Sequence, residues 1–232
     1  MNNGGFAGGL YAITEWIMRF SVVNILWGIF NIPFFFILFN MLFIDRVEDL
    51  PFFIILLAIL APFFFFPATT TVFASVREWI MKNDERGGLI KSFWSYYREN
   101  YKRSLLAGLI FTAIWLIWLI DVYYFMKVNS LIGTVFVVVG IFLFVWTINF
   151  FSVTVHYHMK LFSSMKNALL ITLGSPLLFI IVIMSSAAIL YISIYVFQAL
   201  LVFFACSLIA FLSFAAFYRS YLKLVEKEEA EG

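Results

Sequence analysis

Between Asn167 and Tyr218 the chain runs for 52 residues without an Asp, Glu, Lys or Arg. As a single helix this stretch would be about 78 Å long, more than twice the thickness of a bilayer's hydrocarbon core. It must therefore fold back once, and the reversal is expected near Ile192–Gln198. Four other charge-free runs precede it: Phe20–Ile44, Leu50–Val76, Ser104–Ile120 and Val128–Val155. The third is extended by the weakly polar Asp121–Phe125. Of the 232 residues, 64% are hydrophobic and 12% charged, with 31 Phe and a mean hydropathy of +1.02. Soluble domains average about 45–50% apolar and about 25% charged. A water-soluble monomer cannot hide that much apolar surface, so lipid must solvate much of it. A soluble enzyme, a disordered chain and a disulfide-stapled secreted domain are excluded.

Helices satisfy their own backbone groups in lipid, whereas a membrane barrel needs short strands that alternate toward a polar lumen. Here both parities are apolar, as in Phe34–Phe36 and Val135–Val139. The expected fold is all-α: a polytopic bundle of six transmembrane helices at about 20–44, 50–76, 104–125, 130–155, 174–193 and 197–218, forming a single membrane domain over 1–232. Pro33 falls inside the first helix, and Pro62 and Pro67 inside the second. Each removes a backbone donor, so all three are expected hinges. Thr69–Thr71 follow Pro67, and threonine hydroxyls can re-bond freed carbonyls. Pro51 and Pro176 stand near helix starts, where proline is tolerated.

Six crossings put both termini on one side. That side would hold Arg19, Arg77, Lys82, Arg86, Lys91, Arg98, Lys102, Arg103, Lys160, Lys166, Arg219, Lys223 and Lys227, leaving only Arg46 and Lys127 opposite. The excess of positive charge assigns the first side, and with it both termini, to the cytoplasm. Met1–Leu10 has no Lys or Arg, so the first membrane helix itself is expected to direct insertion.

Three short amphipathic helices are expected on the cytoplasmic side, at 8–19, 89–103 and 159–170. In the middle one, Ile90, Phe93, Trp94, Tyr97 and Tyr101 share a helical face, with Lys91, Arg98, Lys102 and Arg103 largely around the other. Two readings compete for Arg77, Lys91, Trp94, Tyr97, Arg98, Lys102 and Arg103: an anchor on anionic lipid, or a docking element for another membrane protein.

Polar residues within the membrane are the other candidates. Asn24 and Asn31, seven apart, flank Trp27 on one face of the first helix, and Asn149 lies in the fourth. Interhelical hydrogen bonding and a solute path are the competing readings. Asp121, the one carboxylate within an apolar segment, reads as an interfacial group near the outer end of the third helix. His156 and His158 are two apart, point in different directions on a helix and do not suggest a shared metal. The lone Cys206 reads as a packing residue. No phosphate loop, nucleophile elbow or paired-carboxylate pattern is present, so no catalytic residue, metal or cofactor is expected, nor any nucleic-acid partner.

The order Asn24-Ile25-Leu26-Trp27, Pro33, Phe66-Pro67-Ala68-Thr69-Thr70, Val76-Arg77-Glu78-Trp79, Ser92-Phe93-Trp94, Tyr97-Arg98, Lys102-Arg103-Ser104, Lys166-Asn167-Ala168-Leu169-Leu170 and Pro176 resembles the YesL-like family of bacterial integral membrane proteins of unknown function. The likeness spans about residues 10–225. It implies a plasma-membrane protein linked to sugar uptake, because members lie beside genes for carbohydrate ABC importers. No activity is established for the family, so the resemblance supplies no catalytic residue. The expected role is a non-enzymatic accessory or regulatory component contacting the permease subunits of such an importer. The alternative is a small-solute transporter or channel in its own right.

Overall fold

A computed structural model describes residues 6–81 and 88–231. Lys82 and Arg86, expected on the cytoplasmic side, lie outside these residues, as does the side chain of Lys227. Ten α-helices follow one another, and no strand occurs among the described residues. They are α1 (Phe6–Phe30), α2 (Ile32–Met41), α3 (Leu50–Leu60), α4 (Phe66–Met81), α5 (Leu89–Val128), α6 (Ser130–His156), α7 (Leu161–Gly174), α8 (Pro176–Tyr191), α9 (Ala199–Phe203) and α10 (Ala205–Glu231). Two π-helical turns, Ala61–Phe65 and Ile192–Val196, join α3 to α4 and extend α8.

Six helical segments are long and apolar enough to cross a membrane: Gly8–Phe30, Val47–Met81, Leu89–Val128, Ser130–His156, Pro176–Val196 and Ala205–Glu226. The chain is a multi-pass helical membrane protein. The count matches the expected six, and the helix boundaries explain how the runs are divided.

The first span begins earlier and ends sooner than expected. No separate helix occupies 8–19, because α1 is continuous from Phe6 to Phe30. The chain then breaks at Asn31 (φ −99°, ψ 9°), and α2 starts with Pro33 in its first turn. Proline has no N–H to give to the turn before it, and its ring clashes with the carbonyl four residues back, so the break falls just upstream of the ring.

In the second span the chain does not stop at its prolines. The helix widens by one residue per turn, and the Phe66 N–H reaches back five residues to Ala61 O. A π turn absorbs the missing donors while keeping the helix going. The Thr70 and Thr71 hydroxyls donate to Phe66 O and Pro67 O at 2.9 and 2.8 Å. These are not the carbonyls of Ala58 and Phe63, four residues before each proline, that lose a backbone donor.

The expected division between an interfacial helix at 89–103 and a span at 104–125 is also corrected: α5 is one helix of 40 residues, about 60 Å long. Gly88, at φ +99°, starts it. No Gly or Pro follows until Gly108, so nothing in the backbone ends the helix where the basic cluster ends. The Asn129 side chain caps α6, accepting from the Leu131 N–H at 3.0 Å. The helix expected at 159–170 is α7, shifted to Leu161–Gly174.

The long apolar run reverses at Phe197–Gln198, within the expected 192–198. Its second half is not one helix from 197, because α9 stops at Phe203 and α10 begins at Ala205. There is no Pro or Gly at this break.

The core surrounds α4. Every residue from Phe66 to Val76 is buried, although the segment includes Thr69, Thr70, Thr71 and Ser75. The helix packs against α1, α5, α6 and α10. Phe66, Phe111, Phe150 and Phe151 form an aromatic stack beside it. The α5 backbone comes so close to the π turn that a Cβ on Gly108 would lie 2.8 Å from Pro62 Cα.

Candidate functional site

The buried polar residues of α1 serve the breaks in the helices. Asn24 is 1% exposed. Its amide donates to Val202 O at 2.6 Å and, more weakly, to Leu201 O at 3.3 Å, while its Oδ1 accepts the Ser207 N–H at 3.1 Å. These backbone groups flank the gap between α9 and α10, where the regular helical bonds are interrupted. The Ser207 hydroxyl lies between Phe20 O and Phe204 O, 3.1 and 2.9 Å away. A helix can be interrupted in lipid only where another group re-satisfies its backbone, and here α1 supplies that group.

One turn along α1, the Trp27 indole donates to the Thr69 hydroxyl at 3.1 Å. Asn31 is fully buried, and its amide bonds Trp27 O at 2.8 Å. Asn24, Trp27 and Asn31 thus line one face, as their spacing implies. The Ser104 hydroxyl donates to the Thr70 hydroxyl at 2.9 Å, joining α5 to α4. Asn149 donates to the Thr172 hydroxyl at 2.9 Å, joining α6 to α7. Asn24, Trp27, Ser104 and Asn149 each reach a neighbouring helix, whereas Asn31 bonds back to its own, at the break. The expected hinges have different surroundings: Pro62 and Pro67 are buried, whereas Pro33 is half-buried.

At the far end of α6, two arginines converge. The Arg77 guanidinium donates to Val155 O and pairs with the Glu78 carboxylate, with a bond of 3.1 Å from Nε. Arg103 donates to Thr154 O at 3.3 Å, to Tyr157 O at 3.2 Å and to the Ser164 hydroxyl. The last carbonyls of a helix have no partners within it and carry the negative end of its dipole, so two cations there complete the helix. Arg77 and Arg103 are therefore turned into the bundle, away from the free basic face that the sequence suggested. His156 sits beside them, with ring centroids 4.6 Å from Tyr221 and 5.5 Å from Phe217. His158 is exposed.

The other expected docking residues divide in the same way. Lys91, Arg98 and Lys102 are exposed. Phe93 is 1% exposed and belongs to the core. Trp94 and Tyr97 stack nearly parallel (8°) and pack against Phe30 at the end of α1, at 5.8 and 4.5 Å. Trp94 nevertheless stays 51% exposed. Cys206 is half-buried in α10 and unbridged.

The sequence alone does not single out Ser207, Glu78 or Ser164 for these roles. Glu78 is adjacent to Arg77, which is a usable local signal. Ser164 and Ser207 acquire their roles only through residues far along the chain.

A family model described as "Protein of unknown function, DUF624" matches residues 20–122. This stretch includes Asn24, Trp27, Asn31, the three prolines, both arginines and Asp121, but not Asn149. The "Uncharacterized protein YteU" of Bacillus subtilis (strain 168) is 26% identical over 227 residues, covering 97% of this chain and 90% of that protein. No solved structure matches. The chain is thus similar, almost end to end, to a bacterial protein whose description assigns no activity.

Proposed function

We propose that this chain is a non-enzymatic component of the bacterial plasma membrane, with both termini cytoplasmic, that assembles with other membrane proteins. Its partners in this reading are the permease subunits of a carbohydrate ABC importer. One observation carries the assembly role: α4, the helix at the centre of the bundle, is buried without interruption from Phe66 to Val76. A carrier would be expected to keep its substrate path there, at the meeting point of the helices. A filled centre instead suits a protein that acts through its outer surfaces. The link to sugar import rests on the resemblance of the motifs to the YesL-like family alone.

The test is crosslinking in native membranes followed by purification of the tagged protein in mild detergent. Recovery of importer permease subunits supports the reading, and recovery of none removes it.

The break between α9 and α10 favours a second reading, a small-solute transporter, because discontinuous membrane helices often mark binding sites. Solute flux in proteoliposomes decides this. Flux of a sugar through the purified protein would replace the assembly reading.

A further inference from the structure

Asp121 of α5 is the only charged residue between Arg103 and Lys127. The helix packed against it there, α6, contributes none between Ser130 and Val155. Asp121 borders a largely apolar groove of about 230 Å³ between α5 and α6, with Ile117, Trp118, Phe136, Val139 and Trp146 among its walls. The groove opens on the outside of the bundle, where Ile117 is 61% and Val139 46% exposed. Among the described residues, Asp121 makes no hydrogen bond and no ion pair. Lys127 is turned toward Tyr123, donating to its hydroxyl and lying 4.1 Å from its ring centroid. The Trp118 indole, which could have served the carboxylate, is committed to Phe136 O at 2.7 Å.

An ionisable group in an apolar segment is costly unless it is paired. Here the described residues supply no cation and leave the approach open. We infer that the α5–α6 groove around Asp121 receives a transmembrane helix of a partner protein that carries a single Arg or Lys near its membrane end. The apolar walls suit the aliphatic stem of such a side chain, and the carboxylate suits its head.

An amine-bearing lipid fits less well. Asp121 lies about 9 Å along the helix from Lys127, on the membrane side. In phosphatidylethanolamine the ammonium is on the water side of the phosphate. A headgroup reaching Asp121 would therefore carry its phosphate deeper, among Trp118, Phe136 and Trp146, where no free donor awaits it. This inference deepens the assembly reading and rests on it, since it names the chemistry of the partner's helix.

The test uses the full-length protein in phosphatidylglycerol vesicles and a labelled Leu/Ala transmembrane peptide of about 20 residues. One version of the peptide carries a single Arg about six residues from one end, and the other has Leu at that position. Association is read by energy transfer. The Arg peptide is expected to bind at least about tenfold more tightly than the Leu peptide, a difference of about 1.4 kcal/mol. Asp121→Asn should abolish the preference, and Asp121→Glu should keep it. Val139→Trp, which fills the groove, should weaken the Arg peptide.

Equal binding of the two peptides to the unmodified protein overturns the inference, and that comparison does not depend on how any variant folds. Displacement of the Arg peptide by added phosphatidylethanolamine, dependent on Asp121, also overturns it by making lipid the occupant. The assay involves no importer. A failure to co-purify permease subunits and a failure of the groove are therefore separate results.

Discussion

The Asn24 side-chain oxygen accepts the backbone N–H of Ser207 at 3.1 Å across a sequence separation of 183 residues. The same side chain donates to Val202 O on the other side of the gap between α9 and α10. One amide thus bridges both ends of a broken helix, which neither end could do for itself. The first and last apolar helices are coupled through backbone groups, so the coupling does not depend on which side chains α10 carries at those positions.

Replacing Asn24 with Leu leaves two carbonyls and an N–H unpaired in an apolar setting. The expected loss is about 1–3 kcal/mol, the cost of orphaned buried groups. Ser207→Ala keeps the backbone N–H and removes only the hydroxyl, so its loss should be smaller, about 0.6 kcal/mol. Reversible unfolding in mixed micelles would rank the two variants. A variant with Leu at position 24 that is as stable as the parent would mean that the break satisfies itself.

The arginine pair makes a different prediction. Arg103 holds three acceptors, spread over α6, the following turn and α7, and charged hydrogen bonds are worth about 1.5–3 kcal/mol each when a partner is lost. Arg103→Met should therefore loosen the junction between α6 and α7. Arg103→Lys should rescue little, because an ammonium cannot span the acceptors of a guanidinium fork. Hydrogen exchange at the amides of 157–165 reads the effect directly. Faster exchange is expected there in both variants, with the amides of α4 unchanged. Equal protection in parent and variants would show that the arginine is dispensable to the junction.

The sequence made the crossings legible and left their joints largely hidden, for physical reasons. A charge-free run is a local property, and the cost of burying charge in lipid makes it dependable. The end of a helix depends on what satisfies its last backbone groups. At Asn31 the cause is nearby, in Pro33, and can be read. At Phe204 no residue announces the break, because the group that makes it tolerable is on α1. In α5 the basic cluster stops at Arg103 while the helix continues, since polarity and helical geometry are independent there. Arg77 and Arg103 look like surface charges in a linear reading. Only the fold shows that both are aimed at the end of α6.

Glycine packing distinguishes two positions that look alike in sequence. A Cβ at Gly108 would meet the Pro62 backbone at 2.8 Å, whereas one at Gly28 would meet nothing within 4 Å. Gly108→Ala must push α5 away from the π turn, and overpacking of this kind costs about 1–3 kcal/mol. Gly28→Ala should be neutral or stabilising by up to about 1 kcal/mol, because glycine is a poor helix former. Thermal inactivation followed by size-exclusion chromatography would show the contrast. A stable Gly108→Ala variant would mean that α5 can shift without loss.

The assignment of sides can be tested by chemistry at single positions. Cys206 is the only cysteine, so Cys206→Ala provides a background without thiols. Lys91→Cys and Lys223→Cys replace exposed side chains on the proposed cytoplasmic side, and Lys127→Cys replaces one on the other side. An impermeant maleimide added to intact cells should label only the third, and permeabilisation should expose the first two. The excess of Lys and Arg on one side makes this orientation the favoured one, and an even number of crossings requires positions 91 and 223 to agree. Labelling of 91 and 223 from opposite sides would break the six-span count itself. Joint labelling of both from outside would keep the count and invert the protein.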